Sequence, residues 1–383
     1  MYDELKFLLQ KSPSYFIFWV AQNCNFTCDH CFNYIENKKK EEELTLDEID
    51  RFSKNLDHIK YITLAGGEPM IRKDLAEITE IFFKNNGLQM VNVVTNGWFT
   101  DETISYAKNV VERCPGINVG INISIDGFEK EHDHIRQQKG SFDRCLSTIE
   151  ALKKLKLSNQ YPGLSISSSG VYTAENADKI LDLGHFLIKK VKIPYFMNLV
   201  RGEDIQNNSL KFVDVNHYMK VNSALLRLNE NVFSEKYPFR KVRLAVNQVV
   251  TEIIHESAVN NSMTVPCKAG EKGFVVMADG ELLLCEILNI KIGNLRDHDY
   301  DALKILNSEL AKKEIAKIKS EKCHCTWECF QSINTVFSPS LYPRVANRVL
   351  KSYFKGLRSE TKLSPGLPDS SKMEWRSNTL LDK

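Results

Sequence analysis

The chain has 383 residues, 43% of them hydrophobic, and its 51 basic and 49 acidic side chains leave a formal net charge of +2. A chain of this length can form one large domain and a smaller one. The near-neutral balance excludes the strongly basic surface that is typical of a nucleic-acid-binding domain.

The amino-terminal segment has an apolar run only over residues 15–21. This run is too short to span a bilayer and lacks the charge pattern of a signal peptide, so we interpret it as a buried strand of a cytoplasmic protein. Because disulfides require an oxidising compartment, metal ligation explains the ten cysteines better. Cys114 and Cys145 stand alone and are interpreted as small buried side chains.

Short apolar runs alternate with helix-length amphipathic segments over the first half of the chain. Thr45 and Glu48 form the pattern of a capping box and mark one helix start. The alternation predicts an α/β fold, a partial (β/α)6 TIM-like barrel whose loops after the strands gather at one end. The predicted strands are 15–21, 61–66, 90–96, 119–126, 164–171 and 191–199.

The chain divides into four predicted units: the barrel over 1–202, a helical connecting or lid segment over 203–262, a small cysteine-rich domain over 263–338, and a basic helix with a polar tail over 339–383. The basic helix spans 344–358. It could contact an anionic membrane or substrate, but packing on the barrel is the preferred interpretation.

The first cysteine group lies directly after the first predicted strand and comprises Cys24, Cys28 and Cys31. Thiolates are the usual protein ligands of iron–sulfur clusters, and three ligands leave one iron of a four-iron cluster open for catalysis. A zinc knuckle is the alternative because His30 is adjacent, although a residue between two ligands more often points away.

The Cys-x3-Cys-x2-Cys spacing after the first strand of a βα barrel resembles the defining motif of the radical S-adenosylmethionine (AdoMet) superfamily. The resemblance implies that a catalytic [4Fe–4S] cluster reduces AdoMet and releases methionine and a 5′-deoxyadenosyl radical, which removes a hydrogen atom from a substrate. It also implies an external one-electron donor such as flavodoxin or ferredoxin.

Residues at the ends of later strands fit the same resemblance. The glycine-rich turn would approach the amino group of AdoMet, and the serine and arginine would contact its carboxylate, which an arginine can bind through two hydrogen bonds. Ordinary turns and a surface arginine are the alternatives. The cofactor-binding residues so assigned are Gly66, Gly67, Glu68, Pro69, Asn96, Ser124 and Arg136.

The second cysteine group resembles the auxiliary-cluster region of the SPASM/twitch subgroup, in which Gly280-x4-Cys285 forms part of a hairpin around Asp279-Gly280. Its five cysteines are fewer than a full SPASM domain usually carries, which favours one auxiliary [4Fe–4S] cluster. A single cluster needs four ligands, and Cys323 is the residue that we leave out because Cys325-x3-Cys329 matches the family's closing pair. The candidate ligands are Cys267, Cys285, Cys323, Cys325 and Cys329.

The substrate is the least determined feature. Peptide-modifying relatives often carry a domain before the barrel, and about fifteen residues precede the first strand here, so a small-molecule, sugar or lipid-linked substrate is favoured over a peptide or protein. A non-catalytic iron–sulfur electron carrier is an alternative of another class, but it would not need the polar residues at strand ends. Arg201, after the sixth strand, would either bind an anionic group or lie at the surface.

Overall fold

The computed structural model describes residues 10, 12–36, 41–158, 160–202, 205–230, 232, 240–321 and 323–355. Its centre is a sheet in which six consecutive strands lie parallel in the order β6-β5-β4-β3-β2-β1. The prediction of a six-stranded partial barrel is therefore confirmed. The strands are β1 (Tyr15–Ala21), β2 (Tyr61–Gly66), β3 (Met90–Thr95), β4 (Asn118–Ser124), β5 (Leu164–Tyr172) and β6 (Tyr195–Leu199).

The alternation of side chains along β1 separates the outer core from the barrel interior. Phe16 and Phe18 point outward, where their rings pack edge-on against Phe52 and Phe82 of the surrounding helices. Such edge-to-face aromatic packing adds to the stabilisation from burial. The opposite face of the strand turns into the barrel and carries Tyr15, Ile17 and Trp19.

Helices connect the parallel strands and cover their outer face. The first of them begins with the predicted capping box: the Glu48 backbone N–H donates to Thr45 Oγ1 at 3.3 Å, and the Thr45 N–H donates to Glu48 Oε2 at 2.9 Å. This prediction is confirmed. The connecting helices are α1 (Leu46–Lys54), α2 (Leu75–Asn86), α3 (Thr100–Arg113), α4 (Glu129–Arg136), α5 (Ser141–Leu157) and α6 (Ile180–His185).

The sixth strand is shorter than predicted. Helix α6 continues as a π-helix over Phe186–Val191, and Lys192 ends it in the left-handed region at φ 62°. The strand begins only at Tyr195, directly after Pro194, so the prediction is wrong over residues 191–194. The apolar residues there belong to the end of a helix and its connection, which hydrophobicity alone does not separate from a strand.

Two long helices follow the barrel, α7 (Val215–Asn229) and α8 (Arg240–Asn260). Asn229 fastens α7 to β6, because its side-chain amide donates to the Tyr195 carbonyl at 2.7 Å and accepts from the Tyr195 N–H at 3.1 Å. The mainly helical character expected for 203–262 agrees with these elements. Residues 203, 204, 231 and 233–239 of that segment lie outside the described part of the chain.

The predicted hairpin is present as β7 (Gly273–Val276) and β8 (Glu281–Leu283), which pair antiparallel, and β9 (Lys291–Asn294) follows. Gly280 takes the positive φ of 87° that the tight turn requires. Strand β7 also pairs in parallel with β1, so one sheet continues from the barrel into the cysteine-rich region. No pattern in the sequence indicates this pairing, and the predicted domain boundaries stay predictions.

Four helices complete the described chain: α9 (Ala302–Leu306), α10 (Glu309–Ser320), α11 (Glu328–Val336) and α12 (Tyr342–Lys355). Helix α12 corresponds to the predicted basic helix over 344–358 and packs on α8, where Arg344 forms ion pairs with Glu252 and Glu256 at 2.6 Å. Residues 356–383, which include the predicted polar tail, lie outside the described residues. None of the described helices is long and apolar enough to cross a membrane.

Candidate active site

The first cysteine group occupies the loop after β1, at the carboxyl end of the barrel strands. Cys24, Cys28 and Cys31 are close enough to influence one another: burial raises the pKa of Cys24 to about 11 and of Cys28 to about 12, and in both cases the neighbouring thiols add to the rise. The Arg136 guanidinium opposes this effect and lies with Nη1 4.0 Å from Cys28 Sγ. The three predicted ligands are thus brought together beside a fixed positive charge.

The two glycines after β2 allow the cysteine loop to approach the strand end. The Gly67 N–H donates to the Ala21 carbonyl at 2.8 Å. A Cβ at Gly67 would lie 2.1 Å from the Asn23 carbonyl oxygen and 2.9 Å from the Cys24 nitrogen, and one at Gly66 would lie 2.3 Å from the Ala21 oxygen. Only glycine permits this backbone contact.

Glu68 is buried and ties the ends of β2 and β3 together. Its carboxylate accepts hydrogen bonds from the Met70 N–H at 3.0 Å, the Thr95 hydroxyl at 2.7 Å and the Asn96 N–H at 2.7 Å. The side chain of Asn96 donates to Asn25 Oδ1 in the cysteine loop at 2.8 Å. Pro69 starts a short 3-10 helix behind the wall and does not line the cavity, whereas the other predicted AdoMet-binding residues do.

Arg136 is held by a buried carboxylate that the sequence analysis missed. Its Nε lies 2.6 Å from Asp126 Oδ2, and the Asp126 side chain is completely buried. Burial raises the pKa of Asp126, but the charge of Arg136 outweighs it and holds that pKa well below its usual range. His30 Nε2 lies 3.8 Å from the same carboxylate, and burial lowers the pKa of His30 to about 4. Asp126 was visible in the sequence only as half of an Asp-Gly turn.

The cysteine loop opens into one large cavity that runs through the barrel interior and has a volume of about 1100 Å³. One wall is polar and formed by the inward faces of the later strands. Asn122 Nδ2 donates to Ser169 Oγ at 3.0 Å, while the described structure shows no hydrogen bond to the side chains of Asn92 and Asn198. The opposite wall is aromatic and comprises Tyr15, Trp19, Phe32, Tyr61 and Trp327.

Charged side chains line the cavity beside the aromatic residues. Arg201 is only 6% exposed; it donates to Glu328 Oε2 at 2.5 Å and to the Thr326 carbonyl at 3.0 Å, and it lies 3.9 Å above the Trp327 ring. The surface position considered for Arg201 is therefore wrong. Nearby, Trp19 Nε1 donates to Glu286 Oε2 at 2.8 Å, and burial raises the pKa of Glu286 to about 7.

The five distal cysteines converge on the hairpin side of the barrel, from a loop before β7, the end of β8, a loop after α10 and the first turn of α11. Among the described residues, no three His, Cys, Asp or Glu side chains are arranged to hold one metal ion directly. A cubane cluster binds each thiolate through a different iron, so its ligands stand farther apart than those of a single ion. As expected, Cys114 and Cys145 are fully buried.

Two protein-family models match the chain. The model of the radical SAM superfamily matches residues 20–187, and that of the SPASM iron–sulfur cluster-binding domain matches residues 267–330. The chain belongs to the radical SAM superfamily. It is a radical SAM enzyme with a [4Fe–4S] cluster and AdoMet as cofactors. Its SPASM region binds auxiliary iron–sulfur clusters. The zinc-knuckle and electron-carrier alternatives are thereby wrong.

Individual relatives include enzymes with different substrates. The chain is 25% identical over 299 residues to the AdoMet-dependent heme synthase of Methanosarcina barkeri, covering 76% of this chain and 82% of that protein. It is 24% identical over 315 residues to the sporulation killing factor maturation protein SkfB of Bacillus subtilis, covering 79% and 66%. The chain spans about half the length of several other curated relatives.

Solved structures share the fold at low sequence identity. The structure of anSMEcpe with bound AdoMet and a Cp18Cys peptide superposes with a TM-score of 0.58 at 18% identity, covering 89% of this chain and 99% of that one. This likeness extends over both the barrel and the cysteine-rich region, and it supports the observation that the two form one continuous architecture.

Several residues of the site escaped the sequence analysis: Trp19, Glu286 and Trp327, which line the cavity, and Asp126, which lies behind Arg136. A signal for the polar wall was present, because Asn122 and Ser124 alternate along the predicted strand 119–126, which should line the barrel. The aromatic end had no such signal, since it combines β1 with α11, more than 300 residues away along the chain.

Proposed function

We propose that this radical SAM enzyme removes a hydrogen atom from a neutral, hydrogen-bonding substrate of the small-molecule or sugar class. The observation that carries the proposal is the cavity itself, which joins the cysteine loop to an amide wall on one side and an aromatic wall on the other. Its volume of about 1100 Å³ is at the upper end for ligand pockets and provides room for AdoMet together with a second molecule.

The residues at the carboxyl end of the strands fit the cofactors. Cys24, Cys28 and Cys31 would hold the catalytic cluster, and the Gly66–Gly67 backbone, with Ser124 and Arg136 across the cavity, would hold AdoMet. When bound, these cofactors supply the one-electron chemistry that cleaves AdoMet and generates a hydrogen-abstracting radical. An external one-electron donor such as flavodoxin or ferredoxin would supply the electron.

Arg136 would orient the carboxylate of AdoMet. One edge of its guanidinium is already engaged by Asp126, which fixes the plane of the group and leaves other N–H groups to face a ligand. Because the pair is buried and lacks competing water, the interaction with an anionic group is stronger than it would be at the surface. Asp126 is in this view a positioning residue, not a catalytic one.

The substrate class follows from the two cavity walls. The side-chain amides of Asn92, Asn122 and Asn198 present both donors and acceptors without net charge, which suits hydroxyl and amide groups. The aromatic rings opposite offer a flat apolar surface on which the C–H face of a sugar or another ring can pack. Of the two buried arginines, Arg136 is assigned to the carboxylate of AdoMet and Arg201 is paired with Glu328, so neither leaves an uncompensated charge for an anionic substrate.

A peptide is the second candidate substrate. It is favoured by the relation to SkfB, a maturation protein that aligns with 79% of this chain. A peptide backbone is also neutral and hydrogen-bonding, and one aromatic or aliphatic side chain could occupy the aromatic wall. A lipid-linked substrate is less favoured, because the polar wall would bury amide groups against hydrocarbon.

A deuterium-transfer experiment tests the substrate class. The anaerobically reconstituted enzyme is incubated with AdoMet, dithionite and a perdeuterated cell extract separated into neutral, anionic and peptide fractions. We expect deuterium in 5′-deoxyadenosine with the neutral fraction, because the abstracted atom comes from the substrate. Deuterium transfer with only the peptide fraction would favour the second candidate, and transfer with only the anionic fraction would contradict both.

A further inference from the structure

The cavity extends along the whole length of the barrel. It is lined by Gly66 and Asn96 at the carboxyl ends of strands and by Gln89 and Asn118 at the amino ends. Asn118 begins β4 and Ser124 ends it, so at about 3.3 Å per residue the two ends of the cavity lie about 20 Å apart. We call the end at Gln89 and Asn118 the amino-terminal mouth, and the stretch from there to the carboxyl ends of the strands the barrel channel.

We propose that the substrate enters through the amino-terminal mouth and meets AdoMet inside the barrel channel. The inference rests on the proposed function, because it takes the cavity to hold AdoMet and a neutral substrate together. It adds the direction from which the substrate arrives and the side chains that it passes.

The inner face of the barrel is accessible to solvent from the amino-terminal mouth. On β4 the outward side chains of Val119, Ile121 and Ile123 are completely buried, whereas the inward Asn118 is exposed and the inward Asn122 is half-buried. In a filled barrel, layers of large branched side chains occupy the interior. The inward residues of β4 are small or carry amides instead, so they leave the barrel channel open.

A glycine keeps the barrel channel wide between its two ends. Gly120 of β4 stands beside Asn92 on β3 and Ser165 on β5 in the register of the sheet. A Cβ at Gly120 would lie 2.7 Å from Asn92 Oδ1 and 3.4 Å from Ser165 Oγ. Any larger side chain at this position would therefore point into the barrel channel and narrow it.

Helices close the side of the partial barrel. Residues of α7, α8 and α11 line the cavity between the edge strand β6 and β1. The Leu199 N–H donates to Glu328 Oε1 at 3.1 Å, which fastens α11 to the end of β6, and Asn229 fastens α7 to its start. The cysteine loop and the residues assigned to AdoMet occupy the carboxyl end. Among the described residues, this arrangement leaves the amino-terminal mouth as the route for the substrate.

The side chains along this route fit the proposed substrate class. Gln89, Asn118, Asn92 and Asn122 present amides to the cavity, and an amide both donates and accepts hydrogen bonds without a net charge. Such groups can replace the water that a hydroxyl or amide of the substrate loses on entry. Lys60, which also lines this end, interacts with other residues of the chain. Substrate and product could therefore exchange while AdoMet stays bound.

Thiol accessibility tests the route without any substrate. Asn92→Cys places a thiol inside the barrel channel, and Glu112→Cys, at an exposed position near the end of α3, is the control. The reconstituted variants react with iodoacetamide with and without saturating AdoMet, and mass spectrometry follows alkylation at the new position. We expect AdoMet to leave both rates unchanged. Slowing at position 92 by about tenfold or more would overturn the proposal, because access would then require the AdoMet-free fraction.

Blocking the amino-terminal mouth should have the opposite result. Added to Asn92→Cys, Asn118→Trp should slow alkylation at position 92 by about tenfold, because an indole is much larger than the amide that it replaces. Gln89→Trp is a second blocking variant at the same mouth and serves if the first does not fold. Alkylation at position 112 should not respond to either change. An unchanged rate at position 92 in the blocked variants would overturn the proposal.

Turnover with the unfractionated perdeuterated extract provides the second measurement. We expect Asn118→Trp to need about tenfold more extract for half-maximal deuterium transfer into 5′-deoxyadenosine, while the KM for AdoMet stays the same. An unchanged extract requirement would contradict entry through the mouth. Failure of the substrate-class proposal would appear instead as transfer from the anionic or peptide fraction, and it would leave the alkylation rates unchanged.

Discussion

The two cysteine groups were recognised from the same kind of pattern, but they are built in different ways. Cys24, Cys28 and Cys31 lie within one loop, whose path is fixed by the end of β1 and the glycines that follow β2. The distal cysteines extend over residues 267–329 and are collected from two loops, a strand end and a helix turn. In the first group the spacing itself brings the thiols together, whereas in the second the tertiary structure does.

The comparison shows when cysteine spacing is a sufficient guide. Within a short loop, few chain paths are available, so a motif predicts its ligands as a set. In a dispersed group, successive cysteines can lie in different elements, as Cys325 does in a loop and Cys329 in the first turn of α11. Motif matching then identifies the region and leaves the individual ligands to the fold.

The largest effect is expected at the first cysteine group, Cys24, Cys28 and Cys31. Replacing Cys28 with Ala should abolish formation of 5′-deoxyadenosine, because the catalytic cluster loses one of three ligands, and iron should fall from about eight to about four per chain. Chromatography of the reaction products and iron analysis after reconstitution measure both effects. The buried Cys114→Ala variant, remote from the loop, is the control and should keep both properties. Continued 5′-deoxyadenosine formation by Cys28→Ala would contradict the assignment of this cluster.

A backbone change should disturb the same loop without removing a ligand. In Gly67→Ala the new Cβ would meet the Asn23 carbonyl oxygen at 2.1 Å, so the cysteine loop must shift. A misplacement of about 1 Å can lower the rate of AdoMet cleavage by about 100-fold. Gly116→Ala serves as the control for AdoMet cleavage, since a Cβ there meets nothing within 4 Å. Its positive φ of 87° makes this variant less stable but leaves the cysteine loop in place. Equal cleavage rates in the two variants would show that the close approach at Gly67 is not required.

The buried ion pair of Asp126 and Arg136, which lies beside the cysteine loop, should contribute more to stability than any surface ion pair. Asp126→Asn leaves the charge of Arg136 buried without its partner, which typically costs about 3 kcal/mol. Chemical denaturation followed by circular dichroism measures the loss in the free energy of unfolding. A loss below about 1 kcal/mol would mean that water or another group compensates the arginine.

The smallest effect concerns the attachment of the cysteine-rich region to the barrel. Arg296 Nε lies 2.6 Å from Glu48 Oε1, and the Tyr300 hydroxyl donates to the same oxygen at 2.9 Å. The Arg296 hydrogen bond lowers the pKa of Glu48 from 4.5 to about 2. Because the pair is partly exposed, Arg296→Ala should lower the free energy of unfolding by about 1 kcal/mol or less at neutral pH.

The sign of the pH dependence follows from that lowered pKa. The stabilisation is fully present above the unfolded value of 4.5 and is lost as the pH falls toward about 2. Wild type and Arg296→Ala should therefore differ at pH 7 and converge below pH 4.5. The exposed pair of Lys312 and Glu309 provides a control, and Lys312→Ala should change stability very little. A constant difference between wild type and Arg296→Ala at all pH values would exclude titration of Glu48 as its origin.

The sequence by itself determined the parallel barrel, the capping box at Thr45, the hairpin around Gly280 and the cysteine loop. Each of these depends on residues that are close along the chain or on a repeated period, and their physics is local: turn conformation, capping hydrogen bonds and the alternation of strand faces.

Only the tertiary structure decided which distant groups share an environment. It paired β7 with β1, placed Asp126 on Arg136, and enclosed Arg201 between Trp327 and Glu328. Glu48 takes part in a local and in a distant interaction. Its role as a capping residue can be predicted from Thr45, three positions away, whereas its ion pair joins it to Arg296, 248 positions away. Contacts of that separation depend on how whole elements pack, and no local pattern encodes them.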